Sequence, residues 1–197
     1  MNTVQPIRDL NDLTRFKDFY LNVKPDKRNY LLIIIGLNTA LRVSDILNLC
    51  WENVYDFRLQ KWQEHITIIE QKTEKHTSIY LNMNVQKALE GYKYQLEEQG
   101  NGIVCSEYIF RSNGKTSFPI SRVQAFRIVK KAAEKCNIDG IISCHSLRKT
   151  FGYHAWKQGA APVLLMSIYN HSSFRVTCRY LGIEQDDKDQ VFQNIIL

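Results

Sequence analysis

The sequence lacks most of the features that organise small or membrane-bound proteins. Its five cysteines, Cys50, Cys105, Cys136, Cys144 and Cys178, are scattered, odd in number and without a C-x-x-C spacing. That speaks against a zinc site and against a disulfide framework. The longest apolar run, YLLIIIGL at residues 30–37, is far short of the roughly 20 residues that span a bilayer. The N-terminus MNTVQPIRDL has no charged region followed by an apolar one, so it does not read as a signal peptide. A two-metal nuclease needs clustered carboxylates, but Asp186, Asp187 and Asp189 lie in a tail without histidine or glutamate partners at ligand spacing. Repeats, low-complexity stretches and long linkers are missing too.

What is present is an ordinary soluble composition, 44% hydrophobic and 23% charged over 197 residues, enough for one domain with a full core. Lysine and arginine outnumber the acids by 26 to 20, for a formal charge of +6. That balance favours polyanionic partners without demanding them.

Periodicity predicts a mainly helical chain with one small antiparallel sheet. Ile7, Leu10, Leu13, Phe16, Phe19 and Tyr20 recur at helical spacing. Pro25 suits the first turn of a buried central helix, and SDILNL reads as a short helix capped by Ser44. The period changes in EHITIIEQKTEKHTSIYLN, with Ile66 and Ile68 on one side, Thr67 and Ile69 on the other, and a lysine-bearing tip, which predicts a hairpin. A helix in NVQKALEGYKYQLEEQ ends at Gly100 and Gly102, a short strand is expected at EYIF, and Ser121 caps a basic helix reaching Lys135. Three more helices follow: one closed by Gly159, one opened by Pro162, and one capped by Ser172 or Ser173 and closed by Gly182. The tail, with Val191, Phe192, Ile195, Ile196 and Leu197, allows one more short helix.

Several residues are able to carry chemistry, although each alone has a plain structural reading. His145 and Arg148 are three apart and share a helix face, while Gly152 removes a side chain from that face so that something large can come close. Arg42 stands at a helix junction, either paired with Asp45 or held toward a ligand. Lys72 and Lys75 sit at the hairpin tip, where lysines are ordinarily just solvated. His171 alone is a cap or a packed ring as readily as a catalyst. As a set with Tyr180, however, they contain what a metal-free attack on a phosphodiester requires. A phenol with a pKa of about 10 ionises more easily beside cations. Two arginines are suited to the extra charge of a pentavalent transition state, and a lysine or histidine to protonating the leaving oxygen. No metal or cofactor is needed for that chemistry.

The sequence resembles the tyrosine recombinases, in particular phage and mobile-element integrases. NTALRVSDILNL, QKTEK, HSLRKTFGYH, NHSS and RYLGI match that family's pattern in order, over about residues 25 to 183. The resemblance implies the recombinase catalytic-domain fold and double-stranded DNA as partner, the protein being a monomer in solution and a tetramer on DNA in a bacterial cytoplasm. It implies Tyr180 as nucleophile forming a 3′-phosphotyrosyl bond, Arg42 and Arg148 as phosphate clamps, and His171 as a hydrogen-bonding partner. His145 would assist proton transfer, and Lys72, which aligns better than Lys75, would be the general acid. Lys149, Asp45 and Asn170 depart from the family's frequent histidine, glutamate and glycine. Residues 1–24 are expected as a helical arm without the family's N-terminal core-binding domain, and residues 184–197 as a tail that docks on its own domain or, with DNA bound, on a neighbour. Arg122, Arg127, Lys130, Lys131 and Lys149 are the expected DNA contacts. Alternatives on the same scaffold are a regulator that binds DNA without cutting it, and a relaxer of the topoisomerase type.

Overall fold

Five consecutive aliphatic residues set the centre of the molecule. Leu31 to Ile35 are each at most 2% exposed, and burying one such side chain is worth about 1.5–3 kcal/mol. A helix apolar on every side is driven to the middle of the fold. The computed structural model describes residues 4–72, 74–112, 118–183 and 192–195. In it the run lies in α2 (Lys27–Thr39), following α1 (Leu10–Asp18) and a π-helical turn at Phe19–Val23. After it come α3 (Val43–Leu47), α4 (Met83–Glu98), α5 (Arg122–Lys135), α6 (Cys144–Lys157), α7 (Pro162–Tyr169) and α8 (Phe174–Leu181). α4 and α6 pack on α2 most extensively. A methyl group on Gly36 would stand 2.5 Å from Leu147 Cδ1, so the missing side chain lets α2 and α6 cross closely.

The helix signals hold where side chains cap backbone. Ser121 accepts from Gln124 N, Ser173 from Val176 N, and Pro162 opens α7. Two starts differ from expectation. α2 begins after Pro25, because the Asp26 carboxylate caps it by accepting from Asn29 N and Asn29 Nδ2 at 2.9 and 2.7 Å. α3 begins before Ser44: the chain turns left-handed at Ala40 (φ 54°) and re-enters helix with Arg42 in the capping position.

Two separate hairpins replace the single sheet. β1 (Tyr55–Asp56) pairs with β2 (Lys61–Trp62), and β3 (His65–Ile69) pairs with β4 (His76–Tyr80), both antiparallel. In β3, Ile66 is fully buried and Ile69 is exposed, as the alternation requires. The strand expected at EYIF is only an isolated bridge, Cys50 to Tyr108. Among the described residues no helix is long and apolar enough to cross a membrane. Within the tail, Phe192 and Ile195 are exposed, whereas Val191, Ile196, Leu197 and the three aspartates lie outside the described residues.

Candidate active site

The left-handed turn at Ala40 places Arg42 beside the β3–β4 hairpin. Its partner is not Asp45. Asp45 is buried and accepts a hydrogen bond from Gln71 N at 3.0 Å. Arg42 Nη1 instead donates to Glu70 Oε2, while Thr77 Oγ1 donates to Glu70 Oε1 at 3.1 Å.

α6 supplies the second arginine. Ser143 caps the helix and leaves His145 and Arg148 on one face. Arg148 is only 5% exposed. It donates to the Ala40 carbonyl and lies 4.7 Å from the centroid of the Tyr169 ring, whose hydroxyl donates to Arg148 O at 2.7 Å. Such a buried guanidinium carries charge that an incoming anion would neutralise. Gly152 admits a large group, but that group is the protein itself: Tyr169 and Leu181 fill the space a side chain would take.

α7 ends in left-handed Asn170 (φ 56°), which turns the chain so that His171 faces the cleft. His171 Nδ1 and Thr177 Oγ1 are 3.0 Å apart, fixing the ring. On α8, Tyr180 meets His171, His145 and Tyr169 with ring centroids 5.2, 5.7 and 5.2 Å away. Its hydroxyl is buried and has no well-formed hydrogen bond to a described residue. Arg148 nevertheless lies near enough to favour the phenolate. Burial outweighs that pull and raises the Tyr180 pKa, with Arg148 and Arg42 opposing. The phenol is thus protonated at neutral pH.

The pKa values of both histidines are lowered, first by burial, then by Arg148; Lys149, Arg42 and Lys72 add to this at His145, and Arg42 at His171. His145 as a residue is exposed, so these influences on it are weakened by solvent. A histidine whose folded pKa lies below its ordinary 6.5 binds fewer protons than in the unfolded chain. Stability is therefore full above that pH and declines as pH falls through it. Thermal melts from pH 7.5 down to about 5.5 should show Tm falling in the wild type and falling less in His171→Gln; equal slopes would show that His171 does not carry the effect.

An N-terminal strap holds this assembly. Ile7 N donates to Thr150 Oγ1 at 2.9 Å, and Arg8 Nη2 donates to Gly182 O, just beyond α8, at 2.5 Å. Lys149, expected on the DNA face, is buried here. Its ammonium donates to Val4 O at 2.7 Å and sits 5.1 Å from the Tyr180 ring centroid. Lys72 is exposed at the hairpin tip, its charge still felt at His145, whereas Lys75 Nζ donates to Asn170 Oδ1 at 2.5 Å. Arg122, Arg127, Lys130 and Lys131 are all exposed on α5, opposite its buried face of Ala125, Ile128, Val129 and Ala132. The structure therefore gathers Arg42, His145, Arg148, His171 and Tyr180, with both hairpin lysines at the rim. Glu70, Thr77, Tyr169 and Thr177 escape sequence reasoning, being common residue types with no spacing to mark them. The set of cations and neutral donors suits an anion.

A mainly helical domain with its phenol presented on a late helix, beside a His-x-x-Arg helix, is the scaffold of the tyrosine recombinase catalytic domain. The chain matches the crystal structure of XerA recombinase with TM-score 0.73 at 19% identity, over 97% of this chain and 65% of that one. It matches a lambda integrase(75-356) dimer bound to a COC′ core site with TM-score 0.65 at 15% identity, over 92% and 60%. The chain belongs to the phage integrase family, whose pattern covers residues 9–186. It is 40% identical over 186 residues to the probable integrase/recombinase YoeC of Bacillus subtilis (strain 168), covering 94% of this chain and 93% of that protein. It is 26% identical over 204 residues to a tyrosine recombinase of Pseudothermotoga lettingae, covering 99% of this chain and 66% of the relative. The chain thus spans just under two thirds of the Pseudothermotoga and XerA proteins.

Proposed function

We propose that this protein cuts and rejoins DNA strands as a site-specific recombinase, for integration or excision of a mobile element in a bacterial nucleoid. The observation that carries the proposal is Tyr180, its hydroxyl buried beside Arg148 and its ring against His145 and His171. Tyr180 Oη attacks the scissile phosphorus and passes its proton toward His145. The bond to the 5′-oxygen breaks, and Lys72 protonates that oxygen. The products are a 3′-phosphotyrosyl link and a free 5′-hydroxyl. Arg42 and Arg148 hold the non-bridging oxygens, and His171 donates to one of them. Because the new link keeps the phosphodiester's energy, reversal onto another strand needs no ATP.

The proposed assembly is a monomer in solution and a tetramer on DNA. A lambda integrase tetramer bound to a Holliday junction shares the fold, with TM-score 0.66. Phe192 and Ile195 of the tail are exposed, as are Val163, Leu164 and Ile168 on α7, so both sides of a docking contact between neighbours are available. Arg122, Arg127, Lys130 and Lys131 are proposed as contacts to the DNA backbone.

Covalent trapping tests the chemistry: a duplex with a 5′-bridging phosphorothiolate, incubated in EDTA, should leave a slow-migrating adduct on a denaturing gel. Binding to duplex DNA should weaken linearly with log salt, with a slope of about −0.9 for each phosphate gripped. Replacing Arg127 and Lys130 by serine should flatten that slope by about 1 for each phosphate no longer held. A slope unchanged by these substitutions would remove α5 from the DNA face.

A further inference from the structure

We infer that Glu70 is a positioning residue: it aims Arg42 at the scissile phosphate and ties the lysine-bearing hairpin to the arginine clamp. The inference rests on the reaction proposed above. Glu70 directly follows β3 and is 7% exposed. Among the described residues its carboxylate is held by Arg42 Nη1 and by the Thr77 hydroxyl of β4. Its backbone closes the base of the hairpin tip: Glu70 N donates to Lys75 O at 2.9 Å, and Glu74 N donates to Glu70 O at 2.8 Å. Among the described residues lining the cleft of about 720 Å³ that contains Arg148, Lys75, Asn170 and His171, Glu70 is the acid. Asp45, nearer to Arg42 in sequence, is engaged with Gln71 N.

A carboxylate in a site built for phosphate works against binding, since it offsets one of the charges that attract the ligand. What it provides is geometry. A guanidinium has five donors in a rigid fork, and Glu70 takes one of them, leaving donors for phosphate oxygens. Because Thr77 fixes the other carboxylate oxygen, Glu70 does not swing away with Arg42, and the fork is oriented before DNA arrives. The same residue carries the hairpin on its backbone, so orienting Arg42 and holding the lysines near the leaving oxygen are one mechanical act.

Removing the charge while keeping the shape should therefore move affinity and rate in opposite directions. With Glu70→Gln, DNA binding at low salt tightens and its salt slope steepens by about 0.9, while single-turnover cleavage of the suicide duplex slows about 10- to 100-fold. Thr77→Val keeps the charge but removes one hold on the carboxylate, so cleavage slows without the gain in affinity. An ion pair that merely maintained the fold would lose affinity and rate together, and that result, or wild-type cleavage by Glu70→Gln, overturns the inference. Hydrogen–deuterium exchange of the DNA-free protein separates this outcome from failure of the proposed reaction. If the wild type forms no adduct, the reaction is wrong, yet the amides of residues 70–80 should still exchange faster in Glu70→Gln. Unchanged protection there overturns the role assigned to Glu70 on its own.

Discussion

Tyr180→Phe should abolish the covalent protein–DNA adduct completely while leaving DNA affinity within about twofold of wild type. The substitution removes one oxygen and keeps the ring. The ring makes the packing contacts with Tyr169, His145 and His171, and the hydroxyl has no well-formed hydrogen bond to a described residue. Deleting it leaves Arg148 its bond to the Ala40 carbonyl and its contact with the Tyr169 ring, so the fold should be kept. In the proposed reaction Arg42 and Arg148 hold the phosphate, and the change leaves both in place, so binding should persist. A gel comparing wild type and variant, with an anisotropy titration on the same duplex, separates the possibilities. An adduct in the variant would show that another side chain is the nucleophile. Absence of adduct in both, with binding intact, would favour the regulator that binds without cutting.

Gly152→Ala should destabilise the protein markedly. The added carbon would lie 2.5 Å from Leu181 Cδ2 and 2.9 Å from Tyr169 Cε2. Neither neighbour is a loose end: Tyr169 is 2% exposed and tied by its hydroxyl to Arg148 O, and Leu181 is fully buried. Overpacking of this kind costs about 1–3 kcal/mol, and in a domain of this size each kcal/mol moves Tm by about 2–4 °C. The expected fall is roughly 2–12 °C. Because Tyr169 backs the Arg148 guanidinium and Leu181 follows Tyr180 in α8, adduct formation should fall as well, at temperatures where the variant is still folded. A variant with wild-type Tm would mean that α6, α7 and α8 do not meet in the way described.

These two positions also show what the sequence could and could not disclose. The motif residues were legible because their types and order are unusual: His145 and Arg148 three apart, then His171, then Tyr180. Helix ends were legible where the signal is local, as at Ser121, Pro162 and Gly182. At Arg42 the sequence offered Asp45, three residues away, yet the partner is Glu70, 28 residues away on a hairpin. Such pairings are decided by which surfaces the core brings together, and no spacing rule records them. Gly152 was readable as a gap for a close approach, but what fills a gap is a tertiary fact. Lys149 looked like one more surface cation because its acceptor, Val4 O, lies 145 residues away in the strap.

The aromatic packing of α8 also has an optical consequence. The sequence has three tryptophans. Trp51 is buried against Tyr92, and Trp62 packs on Tyr55 across the first hairpin. Trp156, on α6, lies with its ring 5.5 Å from that of Phe174, the first residue of α8. Trp51 and Trp62 therefore sit away from α8, and Trp156 looks directly at the base of the helix that carries Tyr180. A shift in emission on adding DNA that is lost in Trp156→Phe would report a change at the contact between α6 and α8, with no dye attached.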